Sequence, residues 1–170
     1  LGDVYKRQLP YNIATEIIFR LFDARECFSR MLMTTQLEVA HRFTAKVGSK
    51  DYGVPAVLTG LWARAEIEMV IPPRAFHPPP RVRSAVVKFE FREKPAEKVH
   101  SPERFARIVR AAFAQRRKMV LNSLAAGLSP GVDKRAVRRW LERAGIDPRM
   151  RAQNLTIADF ARLERHYPPV

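Results

Sequence analysis

Cysteine is nearly absent from this 170-residue chain: Cys27 is the single thiol. One thiol cannot close an internal disulfide or furnish a cysteine-based zinc site, which removes the disulfide-stapled secreted domains and the zinc modules from consideration. Cys27 has apolar neighbours, so a plain buried thiol is expected. The four histidines, His41, His77, His100 and His166, stand apart with no ligand spacing, and no metal is expected. Long apolar runs are also missing; none approaches the ~20 residues that span a bilayer, and no signal-peptide pattern opens the chain. A reduced, cytoplasmic setting is the expectation. Acidic side chains are scarce too: 17 Asp+Glu face 31 Lys+Arg, for a net charge of +14. Such a surplus favours a polyanionic partner, nucleic acid first and acidic membrane second. It is uneven, at +5 over residues 1–100 and +9 over the shorter stretch 101–170, so the C-terminal part attracts anions more strongly.

What is present reads as alternating helices and strands, then helices only. Apolar residues recur at helical spacing from Asn12 to about Phe22, and Met31–Gln36 reads as a buried strand. Leu37–Ala45 reads as a helix, residues 48–53 as a polar turn-rich loop, and Pro55 opens a further helix to about Ala63. Ala65–Ile71 and Ser84–Arg92 read as strands, the second with Ala85, Val87, Phe89 and Phe91 on one face and Val86, Lys88, Glu90 and Arg92 on the other. Between them, Arg74–Arg83 carries Pro78-Pro79-Pro80 and can be neither helix nor central strand. Beyond the charged linker 94–100, Ser101-Pro102-Glu103 starts a helix expected to run past Arg116. Asp133 caps another that Gly145 ends, and Thr156 with Asp159 caps a third.

Three strings carry chemistry. In Gln8-Leu9-Pro10-Tyr11 an amide, a proline and an aromatic ring are arranged as needed to hold a nucleobase amine. An exocyclic aryl amine is a poor nucleophile, and acceptors aimed at its hydrogens favour the pyramidal geometry that attacks a methyl sulfonium. Tyr11 can stack on the extruded base; a buried Pro-Tyr turn is the plain alternative. In the second string, residues 71–82, Phe76 sits in a proline-locked loop between Arg74 and Arg81. It suits a second wall for the base, with the arginines on phosphates; a rigid connector is the alternative. In the third, Phe113–Lys118, projection at 100° per residue places Arg116 amid an apolar stripe and Lys118 opposite. Arg116 then contacts either protein or RNA, and Arg117 and Lys118 are the better phosphate ligands. Arg135, Arg138, Arg139 and Arg143 form a further basic face that a solvated surface explains equally well.

Taken together, Leu9-Pro10-Tyr11-Asn12-Ile13, Pro72–Pro80, and Phe113–Lys118 with Asn122-Ser123-Leu124 resemble the small-subunit ribosomal RNA adenine N6,N6-dimethyltransferases. Gln36–Val39, Ser49–Gly53 and Arg151–Leu155 fit in the same order. The resemblance implies an α/β fold: the C-terminal half of a Rossmann-like methyltransferase domain (9–93), then a linker (94–100) and a small all-helical domain (101–170). It implies transfer of methyl groups from S-adenosylmethionine to N6 of two adjacent adenines near the 3′ end of 16S rRNA, during assembly of the immature small subunit. Gln8, Leu9, Pro10, Tyr11 and Phe76 become the candidate catalytic residues, with Gln8 also facing the cofactor. Lys50, Arg74, Arg81, Arg116, Arg117 and Lys118 become the candidate RNA-binding residues of a monomeric enzyme without metal or membrane attachment.

Two departures from the family pattern accompany this. The family string begins with Asn where this chain has Gln8, and the Gly-rich turn and ribose-binding acid of the cofactor site lie upstream of the matching region. Asp3–Gln8, after an initial Leu1, resembles a translated sequencing-library adapter, so residues 1–8 are expected to be a scar outside the fold. The 170-residue chain is accordingly expected to bind S-adenosylmethionine poorly and to be inactive alone. The competing assignments are a large-subunit rRNA adenine methyltransferase of the antibiotic-resistance type, a DNA adenine methyltransferase, and a non-catalytic RNA-binding assembly factor.

Overall fold

A computed structural model describes residues 3–8, 14–128 and 133–167, the first of these stretches by its backbone alone. Within the described residues lie four strands, β1 (Asp3–Gln8), β2 (Phe28–Gln36), β3 (Ala63–Ile71) and β4 (Ser84–Phe91). Seven α-helices accompany them: α1 (Ala14–Asp23), α2 (Leu37–Thr44), α3 (Val54–Trp62), α4 (Pro102–Phe113), α5 (Val120–Gly127), α6 (Lys134–Arg143) and α7 (Ile157–Arg165).

The sheet runs β1-β2-β4-β3, with β1 parallel to β2 and β4 antiparallel to both β2 and β3. Period-two alternation sends Met31 and Met33 of β2 and Ala85, Val87 and Phe89 of β4 to one face, where all five are buried. Helical spacing sends Ala14, Ile18 and Phe22 of α1 and Val39, Ala40 and Phe43 of α2 onto that face. Phe43 and Phe22 each meet the Phe89 ring edge-on, at centroid separations of 5.6 Å. On the other face Lys88 is ion-paired with Glu66 and, at 2.6 Å, with Glu68.

Packing divides the chain into two compact units: Leu1–Ala45 with Trp62–Lys94, and Lys46–Leu61 with Pro95–Val170. The sequence places residues 46–61 with the first stretch, but their contacts lie with the second. The Tyr52 hydroxyl donates to the Leu155 carbonyl at 2.9 Å, and the Gly48 N–H donates to the Gln153 carbonyl at 2.8 Å. Along α3, Ala56, Val57 and Leu61 are buried.

Four further expectations are corrected. Residues 3–8, expected outside the fold, take the place of an edge strand on β2, whose exposed hydrogen-bonding edge accepts any extended segment. Cys27 is exposed rather than buried, because it closes a 3₁₀ turn, Arg25–Cys27, before β2 begins. The β2 strand starts three residues earlier than the apolar run suggests. The helix from Ser101 stops at Phe113 instead of carrying on past Arg116. There the Ala114 N–H turns back to the Ala111 carbonyl at 3.3 Å, and the Lys118 N–H donates to the Gln115 carbonyl at 2.9 Å. A new helix, α5, begins at Val120, so one continuous 100° projection across the break does not apply.

The caps follow the sequence. Ser101 accepts from the Arg104 N–H, Asp133 accepts from the Arg135 N–H, and Thr156 with Asp159 forms a reciprocal capping box.

Candidate functional site

One end of the sheet holds both Gln8, which opens the first chemical string, and the second string. Gln8 closes β1 opposite Thr34, two residues before β2 ends at Gln36. Gln36 in turn pairs with Ser84, and Ser84 pairs with Ile71, so β3 ends and β4 starts at the same edge. The chain therefore leaves β1 at the end of the sheet from which the 72–83 loop projects. The carboxyl ends of parallel strands are where open α/β sheets present their ligand crevices. Leu9, Pro10 and Tyr11 lie outside the described residues, and Gln8 is described by its backbone only.

The 72–83 loop is built by its prolines. Pro73 begins a 3₁₀ turn, Pro73–Ala75, and the Phe76 N–H closes it onto the Pro73 carbonyl at 3.1 Å. Phe76 is half-buried while Arg74 and Arg81 are exposed, and the His77–Pro78 peptide is cis. No acidic residue occurs between Ile71 and Ser84, so Arg74, Arg81 and Arg83 leave the loop cationic. The Arg83 carbonyl accepts from the Leu37 N–H at 3.0 Å, tying the loop's exit to the start of α2.

The remaining candidates, Lys50, Arg116, Arg117 and Lys118, belong to the second unit and are exposed. The Arg116 guanidinium donates to the Lys50 carbonyl, so that side chain joins two loops rather than lying in an apolar stripe. One backbone bond and one side-chain bond hold the same turn from its other side. The Val120 N–H donates to the Met150 carbonyl at 2.7 Å, and the Ser123 hydroxyl donates to the Gln115 carbonyl at 3.1 Å. Arg117 and Lys118 thus project from a fixed turn.

Glu164 went unnoticed in the sequence. Its side chain is fully buried, and its carboxylate accepts from the His100 N–H at 2.8 Å and the Ser101 N–H at 3.1 Å. It anchors the entry of α4 to α7. A carboxylate on a helix's inner stripe, Phe160–Leu163–Glu164, was the available signal. Tyr52 is buried as well; its burial, aided by the Asp159 charge, pushes its phenol well above the usual range.

The described residues do not furnish a complete nucleotide-cofactor site. None of the segments leading from a strand to an α-helix, residues 9–13, the direct β2–α2 junction and residues 92–101, contains a glycine. The nearest acid after the carboxyl end of the parallel strands β1 and β2, Glu38, is ion-paired with Arg42. Among the described residues, no group of three or more His, Cys, Asp or Glu could hold a metal ion, and no helix is long and apolar enough to cross a membrane.

Fold and strand-end geometry define the class: an α/β chain of the RNA-methyltransferase type. A crystal structure of a dimethyladenosine transferase from Plasmodium falciparum is similar, with a TM-score of 0.76 at 25% identity, over 95% of this chain and 65% of that one. The 23S rRNA methyltransferase ErmE shares the fold at a TM-score of 0.68 and 23% identity, over 97% of this chain and 65% of that one. The sequence model of the ribosomal RNA adenine dimethylase family matches residues 7–167, and the chain belongs to that family.

Proteins named ribosomal RNA small subunit methyltransferase A are its relatives. That of Syntrophotalea carbinolica is 43% identical over 161 residues, covering 95% of this chain and 60% of the relative. That of Magnetococcus marinus is 44% identical over 155 residues, covering 91% and 53%. The chain thus spans between half and two thirds of the length of the curated relatives it matches.

Proposed function

We propose that the chain carries the target-base and RNA-holding portion of a 16S rRNA adenine dimethyltransferase. In this reading residues 9–45 and 62–93 are the C-terminal half of a Rossmann-like domain, 94–100 a linker, and residues 46–61 join 101–170 in a small helical domain. The parent protein transfers methyl groups from S-adenosylmethionine to N6 of two adjacent adenines near the 3′ end of 16S rRNA, as a cytoplasmic monomer acting on the immature small subunit.

The observation that carries the reading is the shared sheet end. Gln8 and the 72–83 loop leave the sheet on the same side, with the loop's Ser84 base two inter-strand steps (roughly 10 Å) and its Ile71 base three (roughly 14 Å) from β1. A loop of that length bridges such a gap. In this proposal Tyr11 and Phe76 supply two stacking contacts to one adenine. The Gln8 side-chain oxygen and the carbonyl ahead of Pro10 accept the two N6 hydrogens. They orient the nitrogen lone pair and stabilise charge that grows on it during attack. Arg74 and Arg81 hold flanking phosphates, while Lys50, Arg116, Arg117 and Lys118 hold other phosphates of the rRNA.

S-adenosylmethionine supplies the methyl group when bound. Because the described residues lack a glycine-bearing strand-to-helix turn and an unpaired acid just past the carboxyl end of β1 or β2, they do not fit that cofactor alone, and no step is assigned through it. Calorimetry of the 170-residue chain is expected to show no micromolar binding of S-adenosylmethionine.

The test joins residues 7–170 to the preceding portion of the Syntrophotalea carbinolica relative and supplies unmethylated small subunits. Two adjacent reverse-transcription stops near the 3′ end of 16S rRNA are expected, abolished by Tyr11→Ala or Phe76→Ala. Methylation of 23S rRNA instead, or stops indifferent to both substitutions, would contradict the reading.

A further inference from the structure

Helix α6 holds charge that the rest of the fold does not use. Its inner stripe is fixed: Val137, Trp140 and Leu141 are buried, and the Trp140 indole N–H donates to the Leu163 carbonyl at 2.9 Å. On the opposite face Arg135, Arg139 and Arg143 follow one another at i, i+4 and i+8, all exposed. Successive members stand about 6 Å apart along the axis, comparable to the step between neighbouring phosphates of one RNA strand.

Helix stability does not explain this row. Like charges at i, i+4 repel. Lys134 and Arg135 in the first turn oppose the helix dipole, offset there by the Asp133 cap, and of the row only Arg143 in the last turn is favoured by it. Glu142 is the one acid on that outer face, and no ion pair joins it to these arginines among the described residues. Elsewhere in the unit, several arginines are engaged, Arg104 with Glu164, Arg149 with Asp147, Arg162 with Asp159, and Arg165 with the Lys98 carbonyl, but none of those that are not stands in a row at i, i+4 and i+8. A row kept rigid, unpaired and self-repelling is suited to an external polyanion with regularly spaced charge.

We infer that the outer face of α6 is a phosphate-binding rail for double-stranded RNA, contacted through Arg135, Arg139 and Arg143 independently of the Arg117–Lys118 turn. This deepens the rRNA-substrate reading and rests on it. A duplex fits better than a flexible strand because a straight rail about 12 Å long matches phosphates already held in register.

The test measures binding of the 170-residue chain to a fluorescent RNA hairpin across a salt series. Each lost phosphate contact lowers the magnitude of the log K against log salt slope by ~0.7–0.9. The triple variant R135Q/R139Q/R143Q is therefore expected to lower it by about 2–3, whereas R135K/R139K/R143K retains the parent slope. A control with the same charge change, R30Q/K94Q/K98Q, is expected to change the slope by less than about 1.

Equal loss in the control and the α6 variant would overturn the rail, as would an unchanged slope in the α6 variant. Selective loss of phosphatidylglycerol vesicle binding with RNA binding intact would also overturn it. If R117Q/K118Q lowers the slope and the α6 variant does not, the rail alone fails. If the parent chain binds no RNA, the rRNA reading fails with it. Circular dichroism melts of each variant confirm folding, which substitutions at these exposed sites leave intact.

Discussion

Replacing Glu164 probes the joint that fixes the start of α4. Glu164→Ala removes the acceptor for two backbone N–H groups, at 2.8 and 3.1 Å, and a 3.7 Å contact with the Arg104 guanidinium. Hydrogen bonds to a charged partner contribute about 1.5–3 kcal/mol each, and the half-exposed Arg104 pair no more than about 1 kcal/mol. Against this, the variant no longer holds a buried charge away from water, and the exposed His100 lets solvent reach one orphaned N–H. The net loss is about 2–4 kcal/mol. Glu164→Gln keeps one acceptor oxygen but turns an NH2 toward the second donor, for a smaller loss of about 1–2 kcal/mol. With a shift of about 4–8 °C per kcal/mol for a cooperative unit of under ~100 residues, thermal melts of the second unit should show Tm falling by roughly 8–32 °C for the alanine and about half that for the glutamine. An alanine variant within about 0.5 kcal/mol of the parent would refute the clamp, because ordinary surface changes already reach that level.

Close helix packing gives a paired contrast. A Cβ on Gly127 would lie 2.8 Å from the Ala111 Cα and 2.9 Å from its carbonyl oxygen, whereas on Gly60 it would meet the movable Cδ1 of Ile157. Gly127→Ala should lose about 1–2 kcal/mol in denaturant melts despite its better helix propensity, and Gly60→Ala should stay near neutral; equal effects would refute this. The Thr59 hydroxyl is buried without a hydrogen-bond partner among the described residues, so Thr59→Val should raise stability by up to about 1 kcal/mol. A clear loss in the same melts would show that the hydroxyl is satisfied. Tyr52 has its pKa raised in the fold, chiefly by burial. Its contribution is full below the ordinary phenol value near 10 and is lost as pH rises toward the higher folded value. Tyr52→Phe should therefore flatten the alkaline limb of stability above about pH 10, and an unchanged limb would contradict this.

Elements set by local periodicity and caps were legible in the sequence. The alternation of Ala85, Val87 and Phe89 against Val86, Lys88 and Glu90 identified β4 and its buried face, and Thr156 with Asp159 marked the start of α7. Features decided by distant partners were not. The interruption after Phe113 depends on Arg116 reaching Lys50 and on Val120 bonding Met150, neither of which local spacing encodes. The attachment of residues 46–61 to the second unit depends on the Tyr52–Leu155 and Gly48–Gln153 bonds, about a hundred residues apart in sequence. The insertion of β4 between β2 and β3 is likewise a tertiary choice. Of the candidate site, the aromatic and basic strings were readable because their chemistry is local, whereas the sheet end shared by Gln8 and the 72–83 loop needed the strand register.

Cross-linking tests that convergence most directly. With exposed Cys27 replaced by serine to clear the background, Tyr11→Cys and Phe76→Cys are combined and treated with a short bis-maleimide. Rings that clasp one adenine predict rapid intramolecular bridging, slowed by adenosine or substrate RNA occupying the gap. Free labelling of both thiols with no bridge formed would contradict the base-clasping site.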